Sequence, residues 1–162
     1  MVTFEMVKTG GLPALAVMAD TVWHEFFPCI LTAGQIDYMV EKFQSQAALA
    51  RQIEDGYSYY FILDEGERVG YMGIQPKDGK LFLSKLYILE PYRQKGYAGK
   101  AFAFLAGYCR EHGLKSIWLT VNRHNDHAIG VYKNKGFTVV REQKTDIGSG
   151  YIMDDYVMER LV

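Results

Sequence analysis

Leu86-Tyr87-Ile88-Leu89-Glu90-Pro91-Tyr92-Arg93-Gln94-Lys95-Gly96-Tyr97-Ala98-Gly99-Lys100 passes from an apolar strand, ended by Pro91, through a glycine-containing turn directly into a helix. A helix N-terminus leaves about four backbone N–H groups unpaired and carries a partial positive charge, so it is a ready anion site. Gly96, Ala98 and Gly99 present no bulky side chain to a phosphate approaching those groups, and Arg93 and Lys95 add positive charge beside the turn. Taken alone, the stretch reads equally as an ordinary strand-to-helix connection whose glycines only make the bend. A second element downstream changes that weighing.

Working outward, the residues before this turn alternate with a period of two. Tyr57–Leu63, a turn at Asp64-Glu65-Gly66, Arg68–Gln75, a turn at Lys77-Asp78-Gly79 and Leu81–Leu89 read as a three-stranded antiparallel meander. Further upstream, Val2–Val7 alternates as a first strand and Gly10-Gly11 breaks it. Leu12-Pro13 then opens a helix whose apolar residues Leu15, Met18, Val22 and Phe26 recur at threes and fours. Pro28 closes that helix. Thr32 reads as the N-cap of a second helix carrying Ile36, Met39, Val40 and Phe43, and Ser45 as the cap of its continuation through Ile53. Downstream of the turn come a helix from Tyr97 to His112 with Phe102, Leu105 and Cys109 on one stripe, a strand at Ser116–Val121, a short helix at Ala128–Lys135, and strands at Phe137–Lys144 and Tyr151–Arg160. The pattern is α+β, with no repeat or interdomain linker, and predicts one domain over residues 1–162.

Composition excludes several function classes. An apolar fraction of 49% against 23% charged residues is far from that of a disordered chain, and 162 residues are enough to close one core. The 18 Lys and Arg against 19 Asp and Glu leave no excess positive charge for a phosphate backbone, so nucleic acid is not an expected partner. The first residues lack the basic head and apolar run of a signal peptide, and no later stretch is apolar enough to span a bilayer, so a soluble, cytoplasmic protein is expected. Cys29 and Cys109, in apolar or helical surroundings and without C-x-x-C spacing, read as buried thiols rather than a disulfide.

The second element is Val121-Asn122-Arg123-His124-Asn125-Asp126-His127-Ala128-Ile129-Gly130-Val131-Tyr132-Lys133-Asn134-Lys135-Gly136-Phe137, which starts on a strand and passes into a short helix ending at Gly136. Together the two stretches resemble the GNAT superfamily of N-acetyltransferases, whose first motif has the form [RQ]-x-x-G-x-[GA] and whose second ends A-x-x-x-Y-x-x-x-G-F. Arg93, Gly96 and Ala98 match the first, and Ala128, Tyr132, Gly136 and Phe137 the second. The order of strands and helices from Val2 to Arg160 also fits. The closing stretch Asp146–Met158 is loosely similar to bacterial spermidine/spermine acetyltransferases.

The resemblance implies a central mixed, mostly antiparallel twisted sheet of about seven strands flanked by about four helices, and acetyl-CoA as cosubstrate with no metal. It implies that Leu86, Tyr87 and Ile88 offer backbone groups to the acetyl carbonyl and the pantetheine arm, with the Ile88 N–H facing the developing oxyanion. The pyrophosphate would lie on the backbone of Gln94, Lys95, Gly96, Tyr97, Ala98 and Gly99, beside Arg93, and Asn125 would contact the cofactor. Tyr132 would protonate the departing thiolate as a general acid. For Asn125 a helix N-cap is an equally good reading, and for Tyr132 the ordinary alternative is core filling.

A protonated amine acceptor must lose a proton, and the residues leave its base open among Glu25, His24 and a water held near Ser84-Lys85. His124 and His127 have H-x-x-H spacing but no third ligand at convincing distance. The run Tyr57-Ser58-Tyr59-Tyr60 reads as core packing first and as an aromatic wall for a cation second. The expected activity is acetyl transfer to a primary amine of a small molecule, a polyamine being the first to try because of the tail likeness and the acidic pairs Glu54-Asp55 and Asp154-Asp155. Acetylation of a peptide N-terminus and a non-catalytic coenzyme A-binding sensor are the alternatives. A homodimer is implied by resemblance only.

Overall fold

The computed structural model describes residues 1–162 apart from the side chain of Phe26, so the expectation that Phe26 faces the core lies outside the described residues. The strands are β1 (Val2–Met6), β2 (Ser58–Asp64), β3 (Glu67–Lys77), β4 (Lys80–Ile88), β5 (Ser116–Asn122), β6 (Thr138–Gly148) and β7 (Tyr151–Leu161). The helices are α1 (Leu12–Phe26), α2 (Ala33–Met39), α3 (Gln46–Glu54), α4 (Tyr97–His112) and α5 (Asp126–Asn134). Among the described residues the seven strands pair in the order β1-β2-β3-β4-β5-β7-β6. The β4–β5 pairing is parallel, while β1–β2, β2–β3, β5–β7 and β6–β7 are antiparallel. The mixed, mostly antiparallel sheet is the one expected.

There are five α-helices among the described residues rather than about four, because the segment after Thr32 is broken. Thr32 Oγ1 accepts the Gln35 N–H at 3.2 Å and Ser45 Oγ accepts the Ala48 N–H at 3.2 Å. Each cap starts its own helix, and a π-helical stretch, Val40–Gln44, separates them.

Backbone contacts group the chain into two compact units, Met1–Gln75 with Lys85–Ala101 and Pro76–Ser84 with Phe102–Val162, so β4 and α4 each contribute to both. In the first unit, Leu12, Leu15, Ala19 and Val22 of α1 and Leu49 of α3 pack with Tyr59, Phe61 and Tyr71 of β2 and β3. Fully burying one such side chain is worth about 1.5–3 kcal/mol, so this stripe alone holds α1 on its strands. Tyr59 lies directly opposite Gly73, and a Cβ there would stand 2.7 Å from its ring. Tyr59 and Tyr60 are buried, which bears out the core reading of the tyrosine run.

In the second unit, Ile117, Leu119 and Val121 form the sealed face of β5 while Trp118, Thr120 and Asn122 on the other face stay partly open. Phe102, Leu105 and Cys109 of α4 are buried, as their spacing predicted. Cys29 departs from expectation: it follows the end of α1 in a turn and is exposed. Among the described residues no helix is long and apolar enough to cross a membrane.

Candidate active site

In the first unit, the candidate residues gather at the end of β4. The Leu89 N–H donates to Val69 O of β3 at 2.8 Å. Neighbouring residues of a strand turn their backbone groups to opposite edges, so the Ile88 N–H and C=O face away from β3. Among the described residues the parallel β4–β5 ladder pairs Leu81 with Ile117 and Phe82 with Trp118. Among the described residues the outward N–H groups of Leu86 and Ile88 have no strand partner, which is the arrangement an incoming carbonyl needs. Gly70 permits this course of the strand, since a Cβ there would stand 2.3 Å from Tyr87 O and 3.1 Å from Ile88 Cα.

The chain then turns into α4. Gln94 and Gly96 have φ of 63° and 86°, a left-handed conformation that glycine adopts freely and a glutamine does not. Lys100 N–H closes the first helical turn on Gly96 O at 3.3 Å. The backbone N–H groups of Tyr97, Ala98 and Gly99 are then the unpaired leading donors of the helix. No atom lies within 4 Å of where a Gly96 Cβ would stand, so the turn offers both donors and room for a phosphate.

Arg93 is placed differently from a simple phosphate clamp. Its Nε donates to Ile88 O at 2.9 Å and its Nη2 lies 3.5 Å from Glu25 Oε2. It pins the turn to the strand end and holds Glu25, one of the base candidates, as an ion pair. Tyr97 is buried and its hydroxyl donates to Asp64 Oδ2 at 2.5 Å, so only its backbone faces the turn. Lys95 Nζ lies 5.9 Å from the centre of the Tyr92 ring.

His24, a second base candidate, contacts Asp37 Oδ1 through Nε2 at 2.7 Å and Asp20 O through Nδ1 at 2.9 Å. The bond to Asp37, then that to the Asp20 carbonyl, raise its pKa and favour the imidazolium. A group held protonated is poorly suited to accept a proton.

In the second unit, the candidate residues gather around α5. Asn125 caps the helix, its side chain accepting the Ala128 N–H at 3.3 Å, so the capping reading is realised. Tyr132 sits in an aromatic trio, its ring 6.0 Å from Phe102 and 5.9 Å from Phe137. The residue is partly exposed but its hydroxyl end is enclosed, and that desolvation pushes its pKa up to about 12. At neutral pH it holds its proton and can donate it to a thiolate. Gly136, at φ 92°, ends α5 and turns the chain so that Phe137 enters the core. His124 and His127 are both exposed.

Residues 18–137 match the model of the acetyltransferase (GNAT) family. The chain belongs to that family. Relatives of this GNAT chain include the N-acetyltransferase YjgM of Escherichia coli, 34% identical over 88 residues that cover 52% of this chain and 53% of that protein. YycN of Bacillus subtilis is 34% identical over 89 residues, covering 52% and 54%. The GNAT chain thus spans about half the length of these curated relatives. Its fold is shared with the PaiA N-acetyltransferase of Thermoplasma acidophilum, solved in complex with coenzyme A, at a TM-score of 0.82, 18% identity and coverage of 100% and 99%. It is shared also with the ribosomal-protein-S18-alanine N-acetyltransferase of Escherichia coli, at a TM-score of 0.76, 18% identity and coverage of 100% and 94%.

Two features of this GNAT domain were not legible as single residues. Lys85 is buried, and its Nζ donates to Phe43 O at 3.0 Å, to Gln52 Oε1 at 3.0 Å and to the Tyr59 hydroxyl. Burial pushes this ammonium down to about 7. Asp154 and Asp155, adjacent and alike in sequence, go to opposite faces of β7. Asp154 Oδ1 lies 2.8 Å from Arg123 Nε, whereas Asp155 is buried. The alternation of a strand is the signal that separates them, and it is available only once the register is known.

Proposed function

We propose that this GNAT chain transfers the acetyl group of acetyl-CoA to a primary amine, and that the acceptor is a small molecule such as a polyamine. The observation that carries the reading is the open end of β4 leading straight into the Gln94–Gly99 turn, where unpaired backbone donors and an empty space at Gly96 fit a thioester arm and a pyrophosphate. Acetyl-CoA supplies an activated acetyl carbon. The chain's own groups then have distinct tasks in this proposal. The Ile88 N–H steadies negative charge on the acetyl oxygen, and the backbone of Tyr97, Ala98 and Gly99 holds the pyrophosphate. Arg93 keeps Ile88 and the turn in register, and Asn125 fixes the start of α5. Tyr132, which desolvation keeps protonated, gives its proton to the departing thiolate.

Cytoplasmic location and a homodimer belong to the same proposal. The second reading, acetylation of a peptide N-terminus, takes support from the shared fold with the ribosomal-protein-S18-alanine enzyme. Release of free thiol from acetyl-CoA across polyamines, amino acids and short peptides tests both. Stimulation by diamines and polyamines supports the first reading and stimulation by peptides the second. Coenzyme A binding without release in any case would leave a sensor role, and absence of binding would overturn the proposal.

A further inference from the structure

The turn that leads into α4 does not hold its shape by its own sequence. Gln94 stands at φ 63°, where a side chain is disfavoured, and Gly96, at 86°, could adopt many other conformations. Backbone donors bind an anion well only when they are set in place before it arrives, so something outside the turn must fix residues 94–99.

The β2–β3 hairpin, which belongs to the same compact unit, reaches the segment at three points. Val69 O of β3 accepts the Leu89 N–H at 2.8 Å, just before the turn. Val69 is the extra residue of a bulge, since Ile62 pairs with Gly70 and Leu63 with Arg68. Glu67 Oε2 accepts from the Tyr92 hydroxyl at 3.1 Å, and Asp64 Oδ2 accepts from the Tyr97 hydroxyl at 2.5 Å. Tyr92 and Tyr97 bracket the turn, one on each side. The two carboxylates stand directly opposite each other in register, and so on one face, because Glu65 and Gly66 between them take φ of 50° and 81°, the left-handed pair of a two-residue hairpin turn.

The chemistry of the two pairs suits a clamp. The Tyr97 hydroxyl, the largest influence on Asp64, holds its carboxyl below the usual range, so the acceptor is ionised at neutral pH. The bonds to Glu67 and Asp64 raise the Tyr92 and Tyr97 phenols, which stay protonated as donors. Hydrogen bonds to an ionised acceptor are the stronger kind. Lys95 Nζ lies 5.9 Å from the Tyr92 ring centre, so fixing Tyr92 also keeps a cation beside the turn. A carboxylate near a turn that receives an anion is electrostatically unfavourable, so its use here lies in the bond it accepts.

Resting on the reading above that the backbone of Tyr97, Ala98 and Gly99 holds the pyrophosphate, we propose that Asp64 and Glu67 are positioning residues for acetyl-CoA. They clamp Tyr97 and Tyr92, and through them set the backbone donors of the turn before the cosubstrate binds. They touch no reacting atom.

Calorimetric binding of coenzyme A and amide-resolved NMR of the full chain test this in wild type, in Asp64→Ala/Glu67→Ala, and in Asp64→Asn/Glu67→Gln, whose amide oxygens still accept from the phenols. Coenzyme A should shift the wild-type Tyr97, Ala98 and Gly99 amides. The alanine pair should bind coenzyme A about 10–100-fold more weakly. Without coenzyme A it should exchange the Lys100 amide, which closes the first helical turn on Gly96 O, faster than wild type, while exchange at the buried Leu15 and Val22 stays the same. The Asn/Gln pair should bind within about threefold of wild type. Should the alanine pair also exchange faster at Leu15 and Val22, Tyr92→Phe, which lacks a single hydroxyl, should still weaken coenzyme A about 3–10-fold. Binding by the alanine pair within about threefold of wild type, or a weakening that the Asn/Gln pair shares in full, would overturn the clamp and leave the pyrophosphate reading standing. Wild-type protein that binds coenzyme A without moving the three amides would overturn that reading and the clamp with it.

Discussion

Replacing Lys85 with Met should leave the protein as stable as wild type or more so at pH 7, although it deletes three hydrogen bonds. None of the partners is orphaned. Phe43 O still accepts the Gln52 Nε2 donor at 2.9 Å, and Gln52 Oε1 still accepts from the Tyr59 hydroxyl. Against those bonds stands the burial of an ammonium among neutral groups, for Tyr59 is itself desolvated and its pKa raised, so it offers no phenolate. The Lys85 pKa falls from 10.5 to about 7. Between those values the unfolded chain binds a proton that the folded chain does not, so stability rises with pH across that window. The slope is about 1.4 kcal/mol per pH unit, which amounts to a burden of about 4–5 kcal/mol at neutral pH.

Exchanging a buried charge for an apolar side chain of similar length typically changes stability by zero to about 4 kcal/mol in the favourable direction. Urea unfolding of both proteins between pH 7 and 9.5 measures this. Wild type should gain about 2–2.5 kcal/mol from pH 7 to 9 relative to Lys85→Met, and the two curves should converge above that. Gln52→Leu, which strips an acceptor from both Lys85 and Tyr59, should instead cost about 2–5 kcal/mol. Loss of more than about 2 kcal/mol in Lys85→Met at pH 7, or a wild-type advantage that does not change with pH, would show that the ammonium is a net stabiliser and refute the reasoning.

Further outcomes are expected at the site and its supports. Tyr132→Phe should lower kcat by about 10²–10⁴-fold while calorimetry finds coenzyme A affinity within a factor of three, because the ring trio survives and only the proton is lost. Gly70→Ala forces a methyl group against Tyr87 O and should cost about 1–3 kcal/mol in chemical unfolding, with a raised KM for acetyl-CoA as the β4 end shifts. Ser45→Ala removes one helix cap and should cost about 1 kcal/mol without changing kcat.

The sequence by itself determined the elements and their order, because these rest on local physics. Period-two runs, apolar residues at threes and fours, caps at Thr32 and Ser45 and the glycine of the Gln94–Gly99 turn each act within a few residues along the chain. The family was legible for the same reason: Arg93, Gly96 and Ala98, and Tyr132, Gly136 and Phe137, sit at short fixed spacings set by one turn and one helix. Tertiary structure decided what depends on pairing across the chain. That Leu81 and Phe82 pair with Ile117 and Trp118, that Arg93 is drawn onto Ile88 O and Glu25, and that Lys85 meets Phe43, Gln52 and Tyr59 all follow from contacts between residues distant in sequence. The contrast is sharpest at Asp154 and Asp155. They are identical side chains on adjacent residues, and only the pleat of β7 against its neighbours gives one a guanidinium and leaves the other buried.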